Sequence, residues 1–343
     1  MPLAIVASDA FERHLTPPGH PERPERARVF NAVATAWRAR GGVVLEPRAA
    51  TLEELAAIHD RDHIERIAGT AGRAAMLDPD TFTSPESYEL ARLAAGATIV
   101  GVDYTMAGSG PALVMVRPPG HHAERDKAMG FCLFNNAAVA AAYARAHGAR
   151  RVAVVDVDVH HGNGTQAIFE DDADVLYVST HQYPCYPGTG AVTESGTGAG
   201  RGRTVNVPIE PGAGDDDYAH VLATVVVPVL REFAADLVIA SVGFDAHTSD
   251  PLAQMQVTDE GYQSMLATLW AAAAEASNGR LVVLAEGGYD LAALAAGLES
   301  TVEVLEAAPA LPPLPASPSG PGIRGREAVQ AALSVQKPFW PAL

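Results

Sequence analysis

The chain has 343 residues, 24 basic and 41 acidic side chains, and a formal net charge of −17. That excess of negative charge excludes a nucleic-acid backbone or an anionic membrane as partner, since both require a positive patch. With 48% hydrophobic and 19% charged residues, the chain can build a sizeable core and is not disordered.

The opening apolar stretch is too short for a signal peptide, and no run approaches the ~18–20 apolar residues of a membrane span. Cys132 and Cys185 are far apart and form neither a disulfide framework nor a zinc finger. The expectation is a cytoplasmic protein in a reducing compartment.

In chain order, residues 136–147 read as a helix, 151–155 as a buried strand and 175–178 as another. Residues 218–234 read as a helix, 237–242 as a strand, 259–276 as a helix and 281–284 as a strand. Strands separated by helices of this length indicate βαβ units and a parallel sheet. Their continuous apolar character means that both sheet faces are covered. Residues 309–321, rich in Pro, Ser and Gly, read as an extended surface segment, and 327–343 as a short helix with a tail ending in Phe339-Trp340. The simplest organisation is one domain over 1–308, with 309–343 packing on it.

In parallel α/β sheets chemistry sits beyond the carboxyl ends of the strands. Asp156, Asp158 and His160 directly follow the strand at 151–155, and period two puts them on one face if the strand continues. Two carboxylates and an imidazole leaving a buried strand must be paired or bound to a metal, and mixed O/N donors suit a divalent ion such as zinc. Asp245 follows the strand at 237–242 and would complete a three-ligand centre with an open position for water and substrate. With His247 two residues on, instead of further carboxylates, one ion is the simpler reading.

Glu286-Gly287-Gly288-Tyr289 follows the strand at 281–284; its glycines allow close approach, and Tyr289 could donate to a developing oxyanion. Taken alone, this stretch reads first as a glycine turn with a packed tyrosine. Tandem His121-His122 in the Pro/Gly-bounded loop at 117–123 offers a general base and acid. Asp156, not needed as a ligand, is free to accept from one of these imidazoles.

Together these stretches resemble the metal-dependent histone deacetylase family. The matching blocks are HPERPER (20–26), RPPGHHA (117–123), GFCLFNN (130–136), DVDVHHGNGT (156–165), STH (179–181), YPGTG (186–190), NVPI (206–209), GFDAHTSDP (243–251) and EGGYDL (286–291). Asn163 and Glu286 are similar to the class II and bacterial deacetylase-like forms; class I members usually have Asp at the position of Asn163.

The resemblance implies the arginase–deacetylase fold, a single eight-stranded parallel sheet with helices on both faces. It implies Asp158, His160 and Asp245 as ligands of Zn²⁺, with Fe²⁺ as the alternative ion. His121 would pair with Asp156, and His122, the general base, with Asn163. Tyr289 would donate to the substrate carbonyl, and a zinc-bound water would attack the amide.

Gly130, Phe131, Tyr186, Leu252 and Gly287 would line the substrate channel, and Arg23 an internal acetate pocket. One potassium site would use Asp156 and Ser179 with main-chain oxygens of Asp158, His160 and Thr180; a second would use main-chain oxygens near Phe169, Asp172, Val175 and Tyr218.

The implied reaction is removal of an acetyl or other short acyl group from lysine, in a peptide, a protein or a small N-acyl amine. An acidic residue at the position of Leu252 is the form in relatives that act on acetylpolyamines, so leucine here favours acyl-lysine. The alternatives are an acetylpolyamine amidohydrolase and a non-catalytic acyl-ligand binder. Histones in particular are not implied, and oligomeric state is left open.

Overall fold

The computed structural model describes residues 2–312 and 322–343. The strands in chain order are β1 (Ala4–Val6), β2 (Val43–Leu45), β3 (Ala75–Met76), β4 (Phe82–Thr83), β5 (Ala112–Val114), β6 (Val152–Asp156), β7 (Val175–Gln182), β8 (Thr204–Ile209), β9 (Leu237–Val242) and β10 (Leu281–Ala285). Strands β3 and β4 form a small antiparallel hairpin. The other eight make one parallel sheet in the order β2-β1-β5-β10-β9-β6-β7-β8.

Alternate residues of the central strands enter two separate cores. Ala153 and Val155 of β6, with Val238 and Ala240 of β9, join Phe30, Tyr262, Leu266 and Leu298 on one face. Val152, Val154, Leu237 and Ile239 join Ile99, Val102, Val139 and Phe134 on the other. Burial on both faces is why these strands carry no polar alternation.

The four strands expected from sequence are present, and β7 runs four residues further than its apolar stretch, through Ser179, Thr180, His181 and Gln182. These polar side chains are buried under the loops, where Ser179 Oγ lies 2.9 Å from His181 Nδ1 and Gln182 Nε2 donates to Gln254 Oε1 at 2.9 Å. The helices Asn136–Ala146 and Asp259–Ser277 also form where expected, capped by Asn135 and Thr258, whose side chains accept from Ala138 N and Gly261 N. The single helix expected over 218–234 is three pieces: Asp215–Val221, a π turn at Leu222–Val226, and Val227–Phe233. Pro228 lacks the N–H that would bond the Thr224 carbonyl, and the register shifts just before it.

The C-terminal helix starts earlier than expected and spans Ile323–Gln336. Most of the Pro-rich stretch, 313–321, lies outside the described residues. The helix packs along β8 and the helix Asp215–Val221. Gln336 Nε2 donates to the Thr204 carbonyl at 2.9 Å, and buried Trp340 donates its indole N–H to the Gly202 carbonyl at 2.9 Å. No helix among the described residues is long and apolar enough to cross a membrane.

Trp340 packs edge-on to Phe233 and under the Arg203 guanidinium. Trp340→Ala is expected to lower unfolding free energy by about 3–5 kcal/mol. Denaturant titration checks this; a change under about 1 kcal/mol would mean that the tail is not part of the cooperative unit.

Candidate active site

Strand order places a crevice before any side chain is considered. From β6 the chain continues outward through β7 and β8, then returns to β9 on the other flank of β6 and continues to β10. The loops after β6 and β9 therefore leave in opposite directions from paired strands, with Asp156 beside Ser241 in register. In an open parallel sheet this divergence forms the binding crevice. Asp158 and His160 come from one of these loops, and Asp245 from the other.

The strand itself ends at Asp156. Asp156 Oδ1 accepts from Asp158 N at 3.2 Å, and Asp158 Oδ1 from His160 N at 2.9 Å, so two successive side-chain turns replace the ladder. The alternation survives, with Val157 and Val159 in one core and Asp158 and His160 facing the crevice.

Asp158, His160 and Asp245 each present a ligand atom within 4.8 Å of the others. His160 Nδ1 lies 3.2 Å from Asp158 Oδ1 and 3.2 Å from Asp245 Oδ2. One ring proton cannot serve two carboxylates fully. Those separations instead match the ~3.3–3.5 Å edges expected of tetrahedral ligands each about 2.0–2.2 Å from an ion.

Backbone groups aim the carboxylates: Gly287 N donates to Asp158 Oδ2 at 2.9 Å, and Val159 N to Asp245 Oδ1 at 3.1 Å. Burial and the charge of Asp158 both raise the Asp245 pKa. The cluster therefore calls for a cation, and its donor set fits a divalent ion. His247 points away, 3.3 Å from Asp259.

The tandem imidazoles lie beside this centre with ring centroids 4.0 Å apart. His121 Nδ1 donates to Asp156 Oδ2 at 3.1 Å, and Tyr177 donates to the same oxygen at 3.2 Å. Burial opposes charge on His121, but Asp158 and Asp156 outweigh it and raise its pKa to about 10. His122 Nδ1 donates to Asn163 Oδ1 at 2.8 Å, and Asn163 Nδ2 donates onward to Glu124 at 2.7 Å. Burial, then the charges of His121 and His160, push the His122 pKa well down. The two imidazoles are thus pushed in opposite directions, His121 toward its charged form and His122 toward its neutral form.

Tyr289 closes the other side. Its ring meets Phe131 edge-on at 5.8 Å, and among the described residues its hydroxyl has no hydrogen-bond partner. Phe131 adopts φ 69, the left-handed region, with its N–H donating to Thr81 Oγ1 at 3.1 Å. Tyr186 stands edge-on to His122 at 5.1 Å. Leu252 and Tyr289 share the wall of a roughly 600 Å³ mouth cavity. The Gly130 carbonyl accepts the Cys132 thiol at 3.2 Å, and both cysteines are free.

One sequence expectation is corrected. Arg23 is exposed and lines the mouth cavity, so it does not enter the interior. The inward arginine is Arg26, fully buried, with its guanidinium carbon 5.2 Å from the Tyr289 ring centroid. On the helix Glu25–Ala39, position 26 faces the sheet, whereas position 23 precedes the first turn.

The Tyr218 side chain does not join those of Phe169 and Val175. It belongs to the opposite core, and its phenol feels Asp245 and Asp158 at the carboxyl end of the sheet, while Val175 begins β7 at the amino end. The first potassium set does contain close neighbours, since Asp156 and Ser179 are cross-strand partners.

Sequence reasoning missed the roles of Glu22, Glu124, Tyr177 and the Glu286 side chain. Glu286 is fully buried, and burial pushes its pKa up to about 7. Its Oε2 accepts from Gly120 N at 2.7 Å, tying the loop of the tandem histidines to the turn of Tyr289. The Glu22 and Arg26 pair was visible as an i,i+4 spacing within HPERPER, but nothing in that spacing announces burial.

A parallel sheet with three candidate metal ligands and two differently partnered imidazoles is an arrangement suited to metal-dependent hydrolysis. The histone deacetylase domain model matches residues 20–305, and the chain belongs to that family. Histone deacetylase 15 of Arabidopsis thaliana is 41% identical over 332 residues, covering 94% of this chain and 59% of that protein. A histone deacetylase-like amidohydrolase of Pseudomonas aeruginosa is 42% identical over 277 residues, 79% of this chain and 73% of its own. The crystal structure of the HDA15 HD domain superposes with TM-score 0.91 at 38% identity, covering 99% of this chain and 96% of that one.

A Cβ on Gly287 would lie 2.2 Å from Asp245 Oδ2 and 2.6 Å from Asp158 Oδ2. Gly287→Ala is expected to weaken metal affinity by about 10–100-fold, measured by chelator competition. Unchanged affinity would show that these two carboxylates do not hold the ion.

Proposed function

We propose that this chain hydrolyses acyl-amides, with acetyl-lysine or another short acyl-lysine as substrate and Zn²⁺ as its ion. The observation that carries this reading is convergence. One crevice mouth is surrounded by a three-ligand donor set, two imidazoles with unlike partners (Asp156 and Asn163), and a tyrosine hydroxyl with no hydrogen-bond partner among the described residues. Two carboxylates and one imidazole suit zinc, and Fe²⁺ satisfies the same donors. When bound, the ion supplies Lewis acidity to the amide carbonyl and to the attacking water.

The chain's own groups do the rest. Tyr289 donates to the carbonyl oxygen as negative charge develops there. His122 has committed its Nδ1 proton to Asn163, which leaves Nε2 to take a proton from water. His121, held charged by Asp156, stabilises the charge that develops beside it. The imidazole pair returns a proton to the leaving nitrogen, and the products are a free amine and a short carboxylic acid.

Phe131 and Tyr186 would flank the lysine stem, with the Gly130 carbonyl facing the amide N–H. Arg26 would take the interior role expected of Arg23. Asp156 and Ser179, with main-chain oxygens of Asp158, His160 and Thr180, would hold a potassium ion. Leu252 offers no charge to a second amine at the mouth, which favours acyl-lysine over acetylpolyamine.

Amine release from an acetyl-lysine peptide is expected to vanish on exhaustive chelation and return with Zn²⁺; activity that survives complete metal removal would sink the mechanism. Tyr289→Phe should lower kcat by about 10²–10³-fold with little change in KM. Leu252→Glu should shift the kcat/KM ratio from acetyl-lysine peptides toward acetylputrescine and acetylspermidine. An unmoved ratio would refute the role given to Leu252.

A further inference from the structure

We propose that Glu22 is a positioning residue that sets the separation between the Tyr289 turn and the His121–His122 loop; this rests on the amidohydrolase reading of the site. Glu22 is fully buried and lies outside the crevice. Both of its oxygens are engaged. Oε1 accepts from Arg26 Nη1 at 3.2 Å and from Arg117 Nε; Oε2 accepts from Arg117 Nη2 at 2.8 Å and lies 3.5 Å from His14 Nε2. Among the described residues it is the only carboxylate paired with either arginine.

Each arginine continues to a different half of the site. Arg26 donates to the Gly288 carbonyl at 2.8 Å and to the Glu286 carbonyl. Those carbonyls belong to the turn that ends in Tyr289. Arg117 opens the loop of His121 and His122, and its Nη1 donates to the Phe11 carbonyl at 2.8 Å. One carboxylate therefore joins the oxyanion donor to the proton-transfer pair through two rigid guanidinium forks.

The charge of the bridge is firmly held. Burial works against the Glu22 carboxylate, but Arg117 and its hydrogen bonds, with His14 and Arg26, outweigh burial and hold its pKa at about 2. Shortening the side chain by one methylene keeps the charge but withdraws the carboxylate from at least one fork. Misplacement by about 1 Å can cost ~10²-fold in rate even when the change lies away from the chemistry.

The test compares Glu22→Asp with wild type as metal-loaded full chain. Three things are read: kcat and KM on an acetyl-lysine peptide, bound metal per chain, and side-chain ¹⁵N spectra of the histidines. Expected for Glu22→Asp is a fall in kcat of about 10²-fold with KM within ~3-fold, metal content unchanged, and altered His121 and His122 imidazole resonances. A merely structural role would lower the folded fraction and leave kcat per folded, metal-loaded chain unmoved.

If Glu22→Asp does not fold, Arg117→Lys, which keeps the charge pair and loses only the fork, carries the same comparison. The inference is overturned if kcat per metal-loaded chain stays within ~3-fold of wild type and the imidazole resonances stay in place. Inactive wild type on every acyl-amide would sink the amidohydrolase reading; the spectra need no turnover and still decide the role of Glu22.

Discussion

Negative charge buried at one end of the sheet is the constraint on which the rest of this structure depends. Asp156, Asp158, Asp245, Glu286 and Glu22 are each at most 1% exposed, gathered beneath loops that leave the carboxyl ends of the strands. Carboxylates withdrawn from water must be partnered or neutralised. The fold answers each differently. Asp156 has an imidazole and a phenol, Glu22 two guanidiniums, and Glu286 main-chain N–H groups with burial favouring its neutral form. Asp158 and Asp245 share His160 and backbone N–H groups, with His121 Nε2 a further 3.8 Å from Asp158 Oδ1, at the point where an ion fits.

The same arrangement divides two adjacent histidines into unlike groups. Their sequence neighbours are nearly identical, yet one faces an aspartate and the other an asparagine. The distinction is made by β6 and the turn that follows it, since Asp156 ends that strand and Asn163 begins the next helix. In the proposed reaction, proton transfer and charge stabilisation would be divided between the two imidazoles by these partners. The asparagine is itself held by Glu124, so the neutral imidazole keeps its charge-bearing neighbour one hydrogen bond further away.

Residues with local signatures were legible in the sequence. Buried strands announce themselves by unbroken β-branched runs, and polar residues directly after them mark the carboxyl end, which exposed Asp156, Asp158, His160 and Asp245. The residues that hold the site together were not legible in this way. Arg23 and Arg26 are alike in composition and lie three positions apart, and only the helix phase sends one into the interior. The resemblance groups Tyr218 with Phe169 and Val175, yet their side chains enter opposite cores, and membership of a face depends on a topology that no single stretch encodes. The π turn near Pro228 was hidden for a related reason: the apolar pattern of 218–234 is continuous, and only the missing N–H interrupts the backbone.

Parallel sheets have two lateral margins, and here each offers little strand edge for pairing with another molecule. At one margin β2 is only three residues long. At the other, the helix Ile323–Gln336 lies along β8, with Gln336 capping the carbonyl of Thr204. An exposed strand edge is a template for intermolecular ladders. The strand ends at the crevice, by contrast, open toward an incoming chain between the loops that follow β6 and β9.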